Sequence, residues 1–303
     1  MTEIRKRILL AFELAEVGMS EEERRRQLTF VIIGGGPTGV EMAGAIAELA
    51  RFTLARDFRN IDPSSARVIL VEAGDRLLRA FPEKLSAYAK GELERLGVEV
   101  LLNQKVEVRS DEGAFVGDML IASATVIWAA GVAVPNLRNW LPVEVDRTGR
   151  LAVRPDLSLP GHPEVFVIGD AAAVAWKDSL TVPGLAPAAK QGGRYVADVI
   201  MATALGSSKP PPFRYRHQGN LATIGRHAAI ADFGRVKLTG ALAWWIWGLA
   251  HIYFLIGVRA PMLVAAQWFW AYLTFGRGAR LITGLAPLFE NLKMPPHTSD
   301  GKP

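Results

Sequence analysis

The fold is decided by FVIIGGGPTG, residues 30–39, an apolar run that ends in closely spaced glycines. A short run of mostly β-branched residues before a turn is typical of a strand buried on both faces of a parallel sheet. Gly34, Gly36 and Gly39 fit the pattern G-x-G-x-x-G. Because the pattern follows a strand and opens a helix, it predicts a dinucleotide-binding turn.

Each glycine of this turn has its own physical purpose. Gly34 permits the tight turn, Gly36 lets a pyrophosphate approach the main chain, and Gly39 lets the helix pack close to the strand. The unpaired amides and the positive end of the helix then face the pyrophosphate. A P-loop is excluded because no Lys-Ser/Thr pair follows the glycines. The alternative is a glycine-rich turn without a ligand.

Glu72 closes a second apolar strand, Arg67–Val71. An acid at this point of a dinucleotide-binding fold accepts hydrogen bonds from the adenosine ribose and repels a 2′-phosphate. The sequence therefore favours NADH over NADPH, although Arg76 lies close by. The alternative is a solvated acid at a strand end.

The remaining chain predicts alternating helices and strands, the pattern of an α/β domain with a parallel sheet. A capping box, Ser20 with Glu23, opens the second helix. The predicted helices are 3–17, 20–27, 38–51, 83–96 and 187–204, and the further strands are 98–102, 125–128, a buried strand at 164–168, and a strand pair within 218–234.

Composition narrows the function classes. The chain contains no cysteine, which excludes disulfides, thiolate metal sites and dithiol redox chemistry. The five histidines lack metal-ligand spacing, so we expect no metal site. The charged segment 1–28 does not resemble a signal peptide, so the bulk of the protein is expected in the cytoplasm.

The C-terminal segment 236–303 contains five of the eight tryptophans and six Lys/Arg against two Asp/Glu. This composition points to a membrane and not to nucleic acid. The run 238–258 has no formal charge and is long enough to span a bilayer. Hydropathy alone therefore favours a transmembrane helix over this run. The alternative is a pair of helices, over 238–258 and 260–275, lying in the interface with tryptophans at headgroup level.

Two acidic residues allow two interpretations each. Glu41 lies in the first turn of the helix after the glycines, where it either complements the helix dipole or points into the nicotinamide site. Asp170 follows Gly169 at the end of the strand predicted at 164–168, where it either binds a polyol hydroxyl or caps the next helix.

Several motifs together resemble a known family. They are, in order, residues 34–41, 71–73, 128–131, 167–171, 186–191, 221–225 and 231–234. The set is similar to type II, non-proton-pumping NADH:quinone oxidoreductases, monotopic flavoenzymes with two Rossmann-type domains and a membrane-binding C-terminal segment.

The resemblance implies cofactors and site residues. NADH would be held by Gly34, Gly36, Gly39, Glu72 and Gly131, with Glu41 as the catalytic residue near the nicotinamide and the flavin. A second set of residues would contact FAD, and a glutamine would line the approach of the quinone. These residues are Gly169, Asp170, Ala186 and Pro187 for FAD, and Gln191 for the quinone.

The resemblance also predicts the domain organisation. We expect a helical remnant at 1–28, an NADH-binding domain at 29–145 inserted in a partial FAD-binding domain, whose C-terminal part is 146–235, and a membrane-associated helical segment at 236–303. The glycine-rich turn for the FAD pyrophosphate is missing from the sequence, so we expect an N-terminally shortened form.

The predicted function is transfer of a hydride from NADH to FAD and of two electrons to a membrane quinone, at the cytoplasmic face. The resemblance favours the interfacial tail over a single transmembrane helix. A flavin reductase serving a protein acceptor fits the tryptophan-rich tail poorly, and a disulfide reductase is excluded by the absence of cysteine. The alternative is a membrane-attached NAD(H)-binding protein without catalysis. A homodimer is left open.

Overall fold

The computed structural model describes residues 2–17, 19–55, 57–109, 112–131, 145–177, 180–253 and 259–274. The chain divides into two compact units. The first unit combines residues 1–130 with 221–303, and the second comprises residues 131–220.

The helices and strands follow the predicted alternation. The helices are α1 Thr2–Glu16, α2 Glu21–Gln27, α3 Pro37–Glu48, α4 Glu83–Arg95, α5 Ala186–Ala204, α6 Gly240–Tyr253 and α7 Arg259–Thr274. The strands are β1 Thr29–Ile33, β2 Arg67–Val71, β3 Val98–Leu101, β4 Val106–Arg109, β5 Gly113–Val116, β6 Met119–Ala122, β7 Thr125–Trp128, β8 Leu151–Ala152, β9 Ser158–Leu159, β10 His162–Phe166, β11 Ala172–Ala173, β12 Asn220–Ile224, β13 Ala228–Asp232 and β14 Lys237–Thr239.

A parallel sheet forms the centre of the first unit, with strand order β3-β2-β1-β7. Every residue of β1 is buried, as the apolar run predicts. Ile33 is paired with Val71 on one side and with Trp128 on the other, so the three strands end at one edge. In such a sheet, the carboxyl edge is where ligands bind.

Helix α1 packs against the core of the first unit. The Phe12 ring of α1 lies 5.4 Å from the Phe30 ring of β1, and Ile8 joins the same buried cluster. The predicted capping box is confirmed, since Ser20 and Glu23 exchange the two expected hydrogen bonds. Helix α3 is shorter than predicted because it continues as a π-helical turn, Leu49–Thr53.

The unit boundaries differ from the predicted domain boundaries. Strands β12 to β14 form a three-stranded sheet whose Ile224 and Ile230 lie in the core of the first unit. Burial of these side chains explains why residues from 221 onward group with the parallel sheet. A second sheet of the first unit, β4-β5-β6, is antiparallel and was not predicted.

The prediction of a buried strand at 164–168 is wrong. Strand β10 spans His162–Phe166 and forms a two-stranded antiparallel sheet with β9. Ile168 lies beyond the strand and is 40% exposed. Within the described residues β9 and β10 form a sheet of two strands, so the apolar sequence here does not lie at the centre of a sheet.

Helices α6 and α7 occupy the two apolar runs of the C-terminal segment. Helix α6 covers 14 residues, and residues 254–258 of the predicted run lie outside the described part. Within the described residues, none of the helices has the length and apolarity needed to cross a membrane. The helices present large exposed apolar side chains, the exposed C-terminal surface, which comprises Leu242, Trp245, Leu249, Tyr253, Met262, Leu263, Trp268, Phe269 and Trp270.

Candidate nucleotide site

The turn after β1 depends on backbone geometry that only glycine allows. Gly34 has φ +110°, and a Cβ there would lie 2.6 Å from the Ala130 Cα. A Cβ on Gly39 would lie 1.8 Å from the Gly34 carbonyl oxygen. These two glycines therefore let the turn, α3 and the end of β7 pack closely, as predicted for the motif.

Gly36 faces open space. A Cβ at this position would meet no atom within 4 Å. Gly36 is also the N-cap of α3, Pro37 is its first residue, and no side chain in the described chain caps the helix. The first-turn amides of α3 are thus directed at space that an anionic group can enter, and their partial positive charge favours that anion.

Glu72 closes the turn from the neighbouring strand. Its Oε2 accepts the Gly35 amide at 2.6 Å and its Oε1 accepts the Gly74 amide at 2.7 Å. The alternative of a solvated acid at a strand end is therefore wrong, because both oxygens are bonded and the side chain is half-buried. Each carboxylate oxygen keeps a second lone pair, which leaves capacity for a ribose hydroxyl.

The residues present fit a dinucleotide on this unit. The backbone at Gly36 borders open space, the α3 amides supply donors, and Glu72 supplies an acceptor one strand away. Arg76 directs its Nη2 at the Arg79 carbonyl at 3.4 Å, while Arg79 pairs with Asp75. The binding roles of these residues remain predictions.

Glu41 lies on α3 and is half-buried. Its Oε1 accepts the Thr223 amide of β12 at 3.3 Å. Burial raises the pKa of the Glu41 carboxyl, against the opposing effects of the hydrogen bonds from Thr223 and of the attraction of His251. A carboxyl that readily keeps its proton is suited to proton exchange.

The candidate flavin residues lie together in the second unit. Gly169, with φ +65°, and Asp170 belong to a 3₁₀ turn, and a Cβ on Gly169 would lie 3.2 Å from the Ala189 Cβ of α5. A Cβ on Gly184 would lie 3.0 Å from the Asp170 Oδ1. The N-cap alternative for Asp170 is wrong, because α5 begins at Ala186 and its N-cap is Leu185.

This arrangement fits part of FAD only. Asp170 is exposed, and Ala186 and Pro187 form the first turn of α5. The described residues of the second unit contain no glycine-rich strand-to-helix turn for a pyrophosphate. The exposed acid Asp170 therefore has the chemistry for a polyol chain, and the diphosphate has no counterpart among the described residues of this unit.

The side chain of Gln191 forms hydrogen bonds within the protein. Its Nε2 donates to the Arg216 carbonyl at 2.9 Å, and its Oε1 accepts the Arg216 amide at 3.0 Å. The side chain thus fastens the segment before β12 to α5, and a contact with quinone stays a prediction. Gly131 is exposed with φ +105°, and a Cβ there would meet no atom within 4 Å.

Sequence reasoning missed the partners of Glu41. Thr223 stands within the motif 221–225, but the pairing across 182 residues has no local signal. His251 lies in an apolar helix whose composition directed attention to the membrane. Among the described residues, no group of His, Asp and Glu could hold a metal ion.

Two family models match most of the chain. Residues 10–193 match the pyridine nucleotide-disulphide oxidoreductase family, and residues 217–278 match the NDH2 C-terminal domain. The chain is 43% identical over 292 residues to the type II NADH:quinone oxidoreductase Ndh of Mycobacterium tuberculosis, covering 93% of this chain and 62% of that protein.

More distant proteins share the same architecture. The internal alternative NAD(P)H-ubiquinone oxidoreductase A1 of Arabidopsis thaliana is 31% identical, covering 91% of this chain and 57% of that protein. The structure of NDH2 from Plasmodium falciparum in complex with NADH has TM-score 0.81 at 20% identity, covering 91% of this chain and 72% of that one. The chain thus spans less than two thirds of the length of the curated relatives named here.

Proposed function

Because the chain belongs to the pyridine nucleotide-disulphide oxidoreductase family and carries an NDH2 C-terminal domain, we propose that it functions in the oxidation of NADH by a quinone. The observation that carries this proposal is the open glycine turn, closed on one side by Glu72. The turn offers backbone amides to a diphosphate and a carboxylate to a ribose diol.

NADH is held by the first unit in this proposal. The pyrophosphate occupies the space before Gly36, where the α3 amides and helix dipole favour its charge. Glu72 is already oriented by the Gly35 and Gly74 amides, so it accepts a ribose hydroxyl without reorganisation. A 2′-phosphate would bring a second anion to this carboxylate, which favours NADH over NADPH.

FAD, when bound, supplies the two-electron relay between NADH and the quinone. Asp170 and the first turn of α5 are suited to its riboflavin side, by the exposed acid beside Gly169. Burial raises the pKa of Glu41, which suits its carboxyl to exchange a proton in this reaction. Gln191 keeps its predicted role near the quinone as part of this proposal.

The exposed C-terminal surface supports attachment to a lipid surface. Its tryptophans and aliphatic side chains are exposed on two short helices, an arrangement typical of interfacial helices. A lipid-soluble quinone is collected most directly from that side. Attachment at the cytoplasmic face and assembly into a homodimer remain predictions.

The test is to block the open turn without disturbing the fold. Gly36 has an extended backbone that a valine can adopt, and a Cβ at this position meets no atom within 4 Å. Gly36→Val should keep the unfolding midpoint and lose NADH affinity by about tenfold to a hundredfold, the loss of one or two charge-assisted hydrogen bonds. Calorimetry with NADH measures both proteins, and unchanged affinity in Gly36→Val overturns the proposal.

A second candidate function is NAD(H) binding at a membrane without catalysis. It is favoured by the lack of a pyrophosphate turn for FAD in the described part of the second unit. Flavin absorbance of the purified chain separates the two functions. A colourless protein that binds NADH and remains colourless after incubation with FAD supports the second function.

A further inference from the structure

Arg79 lies beside Glu72, the acid that accepts the ribose of NADH in the proposed function. A Cβ on Gly74 would lie 2.7 Å from the Arg79 Cζ and 2.9 Å from the Glu72 Oε1. Because the distances to this one point are 2.7 and 2.9 Å, the two atoms are at most about 5.6 Å apart. The guanidinium therefore stands next to the carboxylate, at the edge of the sheet where the glycine turn lies.

The loop after β2 holds this arrangement in place. Leu78 is 2% exposed, and its amide donates to the Gly35 carbonyl at 2.7 Å. The Gly74 carbonyl accepts the Asn103 amide at 2.8 Å. The backbone between these points is thus tied both to the glycine turn and to the segment after β3. The Arg79 side chain is exposed, so its guanidinium can meet a ligand from solvent.

A second acid, Asp75, holds the Arg79 guanidinium. Nε and Nη2 of Arg79 both donate to the Asp75 Oδ1, at 3.2 and 2.8 Å. This hydrogen bonding lowers the pKa of the Asp75 carboxyl, and both side chains are exposed. An exposed ion pair of this kind contributes little to stability, so a stronger anion can displace the carboxylate. A phosphate offers three oxygens and more charge to the same fork of N–H groups.

The charges around the proposed ribose position balance. Glu72 and Asp75 carry two negative charges, and Arg76 and Arg79 carry two positive ones. Two backbone amides already donate to the Glu72 oxygens. Its charge also attracts Arg79, in addition to the stronger effect of Asp75 on the pKa of that guanidinium. The Glu72 carboxylate is therefore a compensated anion, and its repulsion of a second anion is reduced.

We propose that Arg79 is a specificity-determining residue, which binds the 2′-phosphate of NADPH when this nucleotide takes the place of NADH. This role rests on the proposed binding of NADH to the glycine turn. The ribose hydroxyl that Glu72 accepts in NADH is the position that carries the phosphate in NADPH. Arg79 exchanges the Asp75 carboxylate for this phosphate, with two N–H groups directed at its oxygens.

Two opposite effects then set the nucleotide preference. Glu72 repels the 2′-phosphate, and Arg79, next to it, attracts the same group. NADH remains the better ligand, because only its free hydroxyl can donate to the carboxylate. NADPH is accepted as a weaker second nucleotide, and Arg79 determines how much weaker it is.

The decisive experiment measures the dissociation constants of NADPH and NADH for the full chain by calorimetry. In Arg79→Gln, the ratio of the NADPH constant to the NADH constant should rise about tenfold, through the loss of a hydrogen bond to a charged group. In Arg79→Lys the ratio should rise less, because the charge stays and the fork is lost. In Asp75→Asn the ratio should fall by about twofold to fivefold, since Arg79 is released from an exposed ion pair.

The matched control is Arg7→Gln on α1. Arg7 pairs with Glu3 at 3.0 Å, and this pair is also exposed and four residues apart. Its removal should leave the ratio of the two constants unchanged. Three results overturn the role of Arg79. They are an unchanged ratio in Arg79→Gln, an equal change in Arg79→Gln and Arg7→Gln, and normal NADH binding by the unmodified chain without measurable binding of NADPH.

A smaller pair of probes isolates the ribose end of the site. Binding of adenosine 2′,5′-bisphosphate and of 5′-AMP is measured directly by calorimetry. The affinity of the bisphosphate relative to 5′-AMP should fall about tenfold in Arg79→Gln, and an unchanged relative affinity overturns the proposal. If the unmodified chain binds these probes but not NADH, the proposed function fails while the probes still decide the role of Arg79. If it binds neither NADH nor the probes, both proposals fail.

Discussion

Glu72 accepts the amide of Gly35 at 2.6 Å and thereby ties the end of β2 to the glycine turn after β1. Its other oxygen accepts the Gly74 amide, so the side chain must offer two acceptors. In Glu72→Gln, the new side chain offers one acceptor oxygen and one NH₂ group. One of the two backbone amides, of Gly35 or Gly74, then faces another donor and loses its hydrogen bond. We expect the free energy of unfolding to fall by about 1–3 kcal/mol and the affinity for NADH to fall with it. Urea unfolding and calorimetry measure the two effects, and equal stability of Glu72→Gln and the exposed control Glu22→Gln would refute the assigned role.

An added methyl group should destabilise the chain at Gly39 and leave its stability unchanged at Gly36. In Gly39→Ala, the new Cβ would lie 1.8 Å from the Gly34 carbonyl oxygen, so the turn must open. We expect a loss of about 1–3 kcal/mol or more in the free energy of unfolding. Gly36→Ala adds its methyl group to open space and should keep the thermal midpoint of the unmodified chain. Equal midpoints for the two variants would contradict this geometry.

The features that could be predicted from the sequence are those with local signals. Strand β1 and its turn combine an apolar run with glycines at fixed spacing, and Ser20 with Glu23 carries a capping box within four residues. The prediction at 164–168 was wrong because burial of a strand depends on neighbouring strands, which the run itself does not encode. The hydrogen bond between Glu41 and Thr223 could not be predicted either, because the two residues lie 182 positions apart in the sequence.

Glu48 should make the stability of the chain depend on pH. Burial raises the pKa of its carboxyl above the ordinary value of 4.5, so the folded chain binds this proton more tightly than the unfolded chain. The stabilising contribution is present below that ordinary value and is lost as pH rises through the folded one. Glu48→Gln should therefore gain stability relative to the unmodified chain between pH 4.5 and neutrality.

The matched control has the opposite sign. Hydrogen bonds from the Thr148 side chain, and from Arg150, hold the pKa of Asp146 well below its usual range. The stabilising contribution of the Asp146 carboxylate is present at neutral pH and is lost on acidification. Asp146→Asn should therefore reduce the fall in the free energy of unfolding at acid pH. Urea midpoints measured across pH test both variants. Curves for Glu48→Gln and the unmodified chain that run parallel would contradict the assigned burial of Glu48.

The Gln191 side chain should hold the segment around Arg216 in place through its two hydrogen bonds to the Arg216 backbone. Gln191→Leu keeps the size of the side chain and removes both hydrogen bonds to the Arg216 backbone, each worth about 1 kcal/mol. The Arg216 amide should then exchange with deuterium faster, by about fivefold to tenfold. Hydrogen exchange read by mass spectrometry compares this variant with Gln218→Leu at an exposed position, and equal protection in both would exclude the fastening role.

The exposed C-terminal surface should control attachment to lipid. Trp245 and Trp270 are 53% and 67% exposed, and their rings are suited to the headgroup region. Each Trp→Ser change should weaken binding to phospholipid vesicles by about tenfold to a hundredfold, because burial of one large apolar side chain contributes about 1.5–3 kcal/mol. The control is Trp128→Ser, since Trp128 is 64% exposed at the end of β7, outside this surface. Vesicle flotation of the three variants decides the point, because equal weakening by Trp128→Ser would show that the effect comes from any exposed tryptophan and not from these helices.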